Sequence, residues 1–279
     1  ANPSLGLTPT LDYLRGEFRK AKGRPAAEAV FQCYHLNRWV GQVSAWLPRD
    51  KWAACTADAK SWPDLYARHK GRKAFVTCDV SATRDITARM ITIPPDDSCD
   101  RWVLIPKFWV PEATLGERAE KDRRVNWQKW VATGALHTTP GDFVDQNFVQ
   151  QDIVQVGRDF DLQAFGYDPW NAGKLVADLQ TDGLDAELMR EMRQGHATLG
   201  APTKEMERLV FATKIEHGGH PVLAWMAGHC TVRFDANLNY VPDKKSSLDK
   251  IDGIAAGVMG IGLAIAGTEE QPVPALEIL

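Results

Sequence analysis

Between Lys73 and Val110 three apolar stretches are separated only by short polar turns, and this run restricts the fold more than any other feature of the chain. Lys73-Ala-Phe-Val-Thr-Cys-Asp79-Val80 reads as a buried strand closing on an acid. Ile86 to Ile93 alternates apolar and polar residues as a second strand, Pro94-Pro95-Asp96-Asp97 makes a turn, and Trp102 to Val110 forms a third strand. Connections this short cannot carry a crossover, so the three strands are expected to run antiparallel as a meander.

The chain around the meander reads mainly as helix. In residues 1–70, Leu11, Leu14 and Phe18 recur at helical spacing, with Asp12, Arg15 and Lys20 on other faces. Pro25 permits a second helix start. Trp39, Trp46, Trp52 and Trp62 mark a segment that must pack on something, and the polar stretch from Ala67 to Lys73 ends it. After the meander, Leu115 to Thr133 is expected to be helical, with Glu120, Asp122 and Arg124 outward. Gln146 to Gly157 follows as a helix, then Leu162 to Tyr167 as a buried strand, then Ala172 to Gln180 as a helix. Pro202 to His217 has a helical period with Met206, Leu209 and Val210 inward, and Leu248 to Ala266 is the last helix. No internal repeat interrupts this order. The fold class expected is α/β: a mixed sheet flanked by helices on both faces, with an N-terminal mainly helical segment.

Composition narrows the function classes. The 279 residues suit one large domain, or one with an appended segment, and 44% hydrophobic with 25% charged residues is ordinary for a globular chain. The first residue is Ala rather than Met, so a piece of a longer protein is expected. The formal net charge of -3 places any nucleic-acid contact on local basic runs. Those runs are Arg68, Lys70, Arg72 and Lys73; Lys121, Arg123 and Arg124; and Lys244 with Lys245. Each reads equally as a solvated face. The five cysteines are scattered without a CxxC pair, which argues against a zinc site or a disulfide framework and for a reducing compartment. No secretory signal opens the chain. The apolar run from Gly253 to Gly267 is shorter than a membrane span and rich in glycine and alanine, so a tightly packed buried helix is expected there.

Several chemistries are absent. There is no GxxxxGK[ST] loop for P-loop ATP hydrolysis, no GxSxG elbow and no HExxH helix. His217 and His220 flank a Gly-Gly pair without close additional ligands, and read as loop histidines. What remains is acidic. Asp79 closes the first strand, Asp168 closes a later one, and Asp252 opens the glycine-rich helix. Groups at the carboxyl ends of strands converge on one edge of an open sheet. Three ionised carboxylates meeting there would repel one another, and divalent cations such as Mg²⁺ or Mn²⁺ relieve that repulsion through hard oxygen ligands. Two such ions can clamp a scissile phosphate. Each acid also has an ordinary reading: Asp79 as a turn former, Asp168 as a helix start, Asp252 as a first-turn acid complementing the helix dipole. Asp85 and Asp249 are auxiliary candidates, the latter able to share a helix face with Asp252 if the helix begins early enough.

The segments carrying these acids resemble the acidic motifs of tailed-phage terminase large subunits, in that family's order. The first is Cys78-Asp79-Val-Ser-Ala-Thr-Arg-Asp85-Ile-Thr-Ala, the second Tyr167-Asp168-Pro-Trp-Asn-Ala, and the third Lys244-Lys-Ser-Ser-Leu-Asp-Lys-Ile-Asp252-Gly-Ile-Ala-Ala. Gly134-Ala-Leu-His-Thr-Thr-Pro-Gly141 and His217-Gly-Gly-His-Pro-Val-Leu-Ala-Trp225-Met fit as well. So do Ala1-Asn-Pro-Ser-Leu-Gly6 and Leu36-Asn-Arg-Trp39-Val, which resemble the region following that family's ATPase core.

The resemblance implies a ribonuclease H-like nuclease fold and two-metal hydrolysis of double-stranded DNA, cutting concatemeric viral DNA during head filling. It implies Asp79, Asp168 and Asp252 as catalytic metal ligands for two Mg²⁺ or Mn²⁺ ions, with Asp249 and Asp85 as auxiliary groups. It divides the chain into a helical linker at 1–70 following an absent ATPase domain, a nuclease domain at 71–267 and a tail at 268–279. The implied partners are the portal, the small terminase subunit and the ATPase domain, in the host cytoplasm and with no membrane. The sequence departs from the family in lacking ATP-binding motifs and in carrying His229 where Asn is common; packing is the expected role of that histidine. A non-catalytic docking module and a resolvase or transposase on the same fold remain alternatives.

Overall fold

A computed structural model describes residues 8–22, 25–36, 45–56, 62–81, 84–247 and 249–269. The opening hexapeptide, Trp39 and most of the 268–279 tail lie outside the described residues. The amino-terminal region forms helices α1 (Leu11–Ala21), α2 (Pro25–Leu36), α3 (Arg49–Ala54) and α4 (Trp62–Arg68). Thr10 caps α1 by accepting from the Tyr13 amide, satisfying one of the donors a helix start leaves free. Leu14, Ala21 and Phe31 form a small cluster between α1 and α2. The next segment behaves differently. Trp46, Leu47, Trp52 and Cys55 are buried in the main core, and Leu65 of α4 joins the core on the opposite side.

The expected meander is present as β1 (Lys73–Asp79), β2 (Thr87–Ile93) and β3 (Trp102–Pro111), paired antiparallel in sequence order. The helix expected from Leu115 to Thr133 is two shorter ones, α5 (Leu115–Lys121) and α6 (Trp127–Ala132), the second restarted by an Asn126 cap on Lys129. Strand β4 (His137–Thr139) then pairs with β3, α7 (Gln146–Asp159) crosses over, and β5 (Asp161–Tyr167) returns parallel to β1. Helix α8 (Gly173–Thr181) and strand β6 (Met189–Glu191) extend that edge. The chain continues through α9 (His196–Phe211), β7 (Ile215–Glu216), α10 (Pro221–His229), the hairpin β8 (Val232–Phe234) with β9 (Tyr240–Pro242), and α11 (Asp252–Glu269). The sheet order is β4-β3-β2-β1-β5-β6, with β7 beside β3. One apolar core lies between the sheet and α9–α11, the other between the sheet and α7–α8.

Three expectations are corrected. Helix α9 begins at His196, so Pro202 lies inside it rather than at its start, and residues 215–216 are strand. Pro202 is buried against Gly262 of α11, where a Cβ would come within 2.6 Å of its Cγ, so packing outweighs the hydrogen bond a helical proline forfeits. Helix α11 begins at Asp252 rather than Leu248. Strand β2 is buried at every position, although its sequence alternates. Arg89 is 2% exposed because Asp152 of α7 receives its Nε at 2.8 Å and Lys107 Nζ at 2.6 Å, while Ile105 O accepts its Nη1 at 2.9 Å.

The glycines of α11 explain how it sits on the sheet. A Cβ on Gly260 would lie 2.0 Å from Thr92 Oγ1, one on Gly267 2.8 Å from Phe75, and one on Gly253 2.6 Å from Phe108. Thr77 Oγ1 donates to Ala256 O at 2.7 Å, tying β1 to the helix. Gly260→Ala is therefore expected to lower stability by about 1–3 kcal/mol through overpacking. Gly257→Ala meets nothing closer than 3.5 Å and should be neutral or stabilising by up to about 1 kcal/mol from helix propensity. Urea denaturation of the two variants measures the contrast.

A second prediction concerns the buried triad. Burial pushes the Asp152 carboxyl up, but Arg89 and Lys107 outweigh it and hold it below the usual carboxylate range. A carboxyl depressed on folding stabilises the protein above its unfolded value and loses that contribution as pH falls through its folded one. Asp152→Ala should cost about 3–5 kcal/mol at neutral pH, because it strands a buried arginine. The deficit relative to the parent chain should shrink below about pH 4 in chemical denaturation across pH.

Candidate metal centre

The carboxyl edge of the sheet is assembled by register. Strands β1 and β5 run parallel with Cys78 opposite Tyr167, so the next residue of each, Asp79 and Asp168, arrives at the same level. Side chains alternate along a strand, so Asp79 shares the face of Thr77, which is bonded to α11. Ala256, the acceptor of that bond, lies one helical turn beyond Asp252, and this brings the start of α11 to Asp79. The turn after β1 is closed by the Ser81 amide donating to Thr87 Oγ1 at 3.1 Å. The loop after β5 is pinned to that turn by Asn171 Nδ2 donating to Val80 O at 3.2 Å.

A cleft of about 310 Å³ opens at this edge. Asp79, Asp85, Asp168, Asp249 and Asp252 all line it, with Lys244, Lys250 and Trp170. Lys244 Nζ stands 2.5 Å from Asp79 Oδ2 and 3.1 Å from Asp252 Oδ1. Asp252 Oδ2 is buried without a hydrogen-bond partner. Burial, and then the neighbouring Asp79 charge, push the Asp252 carboxyl up to about 6 despite the opposing pull of Lys244. Burial also works against the Lys244 ammonium, yet the two carboxylates outweigh it and raise its pKa. One cation thus faces two carboxylates, and the second remains under-neutralised. Asp85 pairs with Lys250 and, at 3.4 Å, with Arg118. Asp168 Oδ1 accepts the Trp170 amide at 3.1 Å. Asp249 accepts the Lys250 amide at 3.0 Å and precedes α11, so it shares no helix face with Asp252.

Among the described residues no three His, Cys, Asp or Glu side chains are arranged to hold a metal ion as they stand. The donor set nevertheless suits a hard divalent cation: carboxylate oxygens, one of them buried and orphaned, already gathered round a single positive charge. Lys244 was legible in the sequence only as half of a basic run; its place between Asp79 and Asp252 depends on the tertiary fold. The other basic runs divide. Arg68, Lys70 and Arg72 are taken up by Glu216, Asp159 and Asp96. Lys121 and Arg124 line a groove of about 640 Å³ with Arg84, Arg118 and Lys250, in which Asp122 pairs with Arg124, Glu117 with Arg84, and Asp85 with Arg118 and Lys250; this groove shares Asp85, Asp249 and Lys250 with the acidic cleft.

His217, His220 and His229 serve packing and capping. His217 stacks on Trp52 at 4.4 Å and its Nε2 lies 2.9 Å from Trp52 O, while His220 caps α10. His229 is half-buried against Trp225, with Nδ1 2.8 Å from Trp225 O, as expected of a packing residue.

A sheet in which three antiparallel strands are followed by parallel ones, with helices on both faces and carboxylates at its carboxyl edge, defines the ribonuclease H-like class. Within that class the chain belongs to the family described as terminase large subunit, endonuclease domain, whose family model matches residues 1–268. It is 34% identical over 271 residues to the terminase large subunit of Enterobacteria phage HK97, covering 97% of this chain and 51% of that protein. It is 26% identical over 278 residues to Protein YmfN of Escherichia coli strain K12, covering 97% and 60% respectively. The crystal structure of the HK97 bacteriophage large terminase matches with a TM-score of 0.68 at 33% identity, over 94% of this chain and 52% of that one. The chain thus spans about half to three fifths of the curated relatives it matches.

Removing the internal cation should expose the electrostatic strain. Lys244→Met is expected to lower metal-free stability by about 1–3 kcal/mol, since it leaves two facing carboxylates without their donor. Added Mn²⁺ should then raise the thermal midpoint of Lys244→Met more than that of the parent chain. Equal shifts in a thermal melt with and without chelator would contradict this account.

Proposed function

We propose that the chain is a divalent-metal-dependent endodeoxyribonuclease that cuts concatemeric viral DNA during genome packaging. The observation that carries this reading is the meeting of Asp79, Asp168 and Asp252 in one cleft, with Asp252 buried and under-neutralised. A fold gains nothing in stability from such an arrangement, so its use lies in binding cations. Asp79, Asp168 and Asp252 would hold two Mg²⁺ or Mn²⁺ ions, and Asp85 and Asp249 would orient groups around them. Bound divalent cations supply Lewis-acid activation of water and neutralise charge that builds on a phosphodiester.

The chain's own residues do the rest. Asp79 sits on a strand and Asp252 on a helix start, both held by α11 packing, so the ligands are presented with little freedom. Lys244 offsets part of the charge of Asp79 and Asp252 and lines the cleft, where it would also meet a phosphate. Arg84, Arg118, Lys121, Arg124 and Lys250 offer phosphate contacts along the adjoining groove, so binding should weaken steeply with salt. Family membership supports DNA as the substrate.

The wider setting follows the family. The substrate would be double-stranded, the place of action the host cytoplasm, and the partners the portal, the small subunit and an ATPase domain. None of the described helices is long and apolar enough to cross a membrane. We keep residues 71–267 as the catalytic unit, residues 1–70 as the segment joining it to the motor and residues 268–279 as a tail. The burial of Trp46, Trp52 and Leu65 packs residues 45–56 and 62–70 against that unit.

Asp79→Ala, Asp168→Ala and Asp252→Ala should each reduce Mn²⁺-dependent plasmid cleavage by at least about 100-fold, more than the loss of an outer-shell group causes. Undiminished cutting by all three would overturn the assignment.

A further inference from the structure

The rim of the acidic cleft carries a feature that metal chemistry does not require. Trp170 is 88% exposed, the most exposed large hydrophobic side chain among the described residues. Tryptophan is usually well buried, because its ring removes a large apolar area from water. Here the ring is presented to solvent from a stiff mount. Pro169 precedes it, its own amide is bonded to Asp168 Oδ1, and the next residue, Asn171, is bonded to Val80 O. The loop that presents an expected metal ligand therefore also presents an indole, one on each side of Pro169.

We propose that Trp170 stacks on a nucleobase that is unpaired next to the scissile phosphate, making it a positioning residue for DNA; this rests on the nuclease reading above. The ligand must offer a flat π-face within one or two residues' reach of a phosphodiester held at the carboxylates, and a nucleobase does so. In intact duplex DNA the base faces are covered by their neighbours, so the ring needs a base that has left the stack. The site therefore prefers DNA that is locally melted at the cut. Arg84 and Lys250 line the adjoining groove, where they would meet backbone phosphates. Stacking on an exposed tryptophan is tolerant of base identity, so it would impose little sequence preference on the cut.

The experiment uses the full 279-residue chain with Ca²⁺, to permit binding with slow turnover, and two labelled probes. One is a fully paired duplex, the other the same duplex with a three-nucleotide bubble. The parent chain should bind the bubble more tightly. Trp170→Ala should weaken bubble binding by about 5- to 100-fold, the range spanned by loss of one base–aromatic stack, and weaken duplex binding by less. Trp170→Phe should recover most of the loss. Thermal midpoints of both variants should match the parent, because an exposed ring contributes little to folding. Iodide quenching gives an independent readout: bubble DNA should shield a fraction of the parent's tryptophan emission, and that fraction should be missing in Trp170→Ala. Equal bubble binding by parent and Trp170→Ala, or unshielded emission in the complex, would overturn the stacking role while leaving cleavage intact. A parent chain that neither binds nor cuts DNA with Mn²⁺ would instead overturn the nuclease reading itself.

Discussion

How closely α11 approaches β1 and β2 decides the rest of the molecule. Gly253, Gly260 and Gly267 leave no room for a side chain against Phe108, Thr92 and Phe75, so the helix backbone lies nearly flush on the sheet. The Thr77–Ala256 hydrogen bond then locks the helix against the strand lengthwise. Shifting α11 by one residue would swing Asp252 about 100° around the helix axis, away from Asp79. A contact made by the absence of side chains in the core thus sets the spacing of two acidic groups in the cleft.

The contrast between two of the clusters of buried charge separates structure from chemistry. Asp152 meets Arg89 and Lys107 with one oxygen each, and Arg89 is further satisfied by a backbone carbonyl. That cluster has positive charge to spare and no orphaned carboxylate oxygen; it braces α7 against β2 and β3. At the acidic cleft the balance is reversed, with one lysine serving two carboxylates and Asp252 Oδ2 left without a partner. The first arrangement is complete. The second is poised to accept cations, because further positive charge there is stabilising.

The amino-terminal third is not uniform. Helices α1 and α2 share a small cluster of their own, whereas Trp46, Leu47, Trp52 and Leu65 insert into the cores beside the sheet. His217 stacked on Trp52 and bonded to its carbonyl ties that segment to the turn before α10. Gly218 is needed in the same turn, since its φ of +59° and a Cβ position 2.7 Å from Trp62 Cα admit no side chain. The His-Gly-Gly-His run is thus a packing device for the helical segment.

The sequence by itself determined what local pattern controls. The meander, the crossover helices and the acid at the end of β1 were legible because short turns, apolar runs and strand-closing residues act over a few positions. Asp168 and Asp252 were singled out by their resemblance to family motifs rather than by spacing, since each has an ordinary local reading. The tertiary structure alone decided that Arg89 is buried inside an alternating strand, that Pro202 sits within a helix, and that α11 starts at Asp252 rather than at Leu248. It alone placed Lys244 between Asp79 and Asp252, 165 residues from the former, and left Trp170 bare on the rim. The physical reason is range. Turn chemistry and periodicity act between neighbours in the chain, whereas charge and packing act between neighbours in space, and only folding establishes which residues those are.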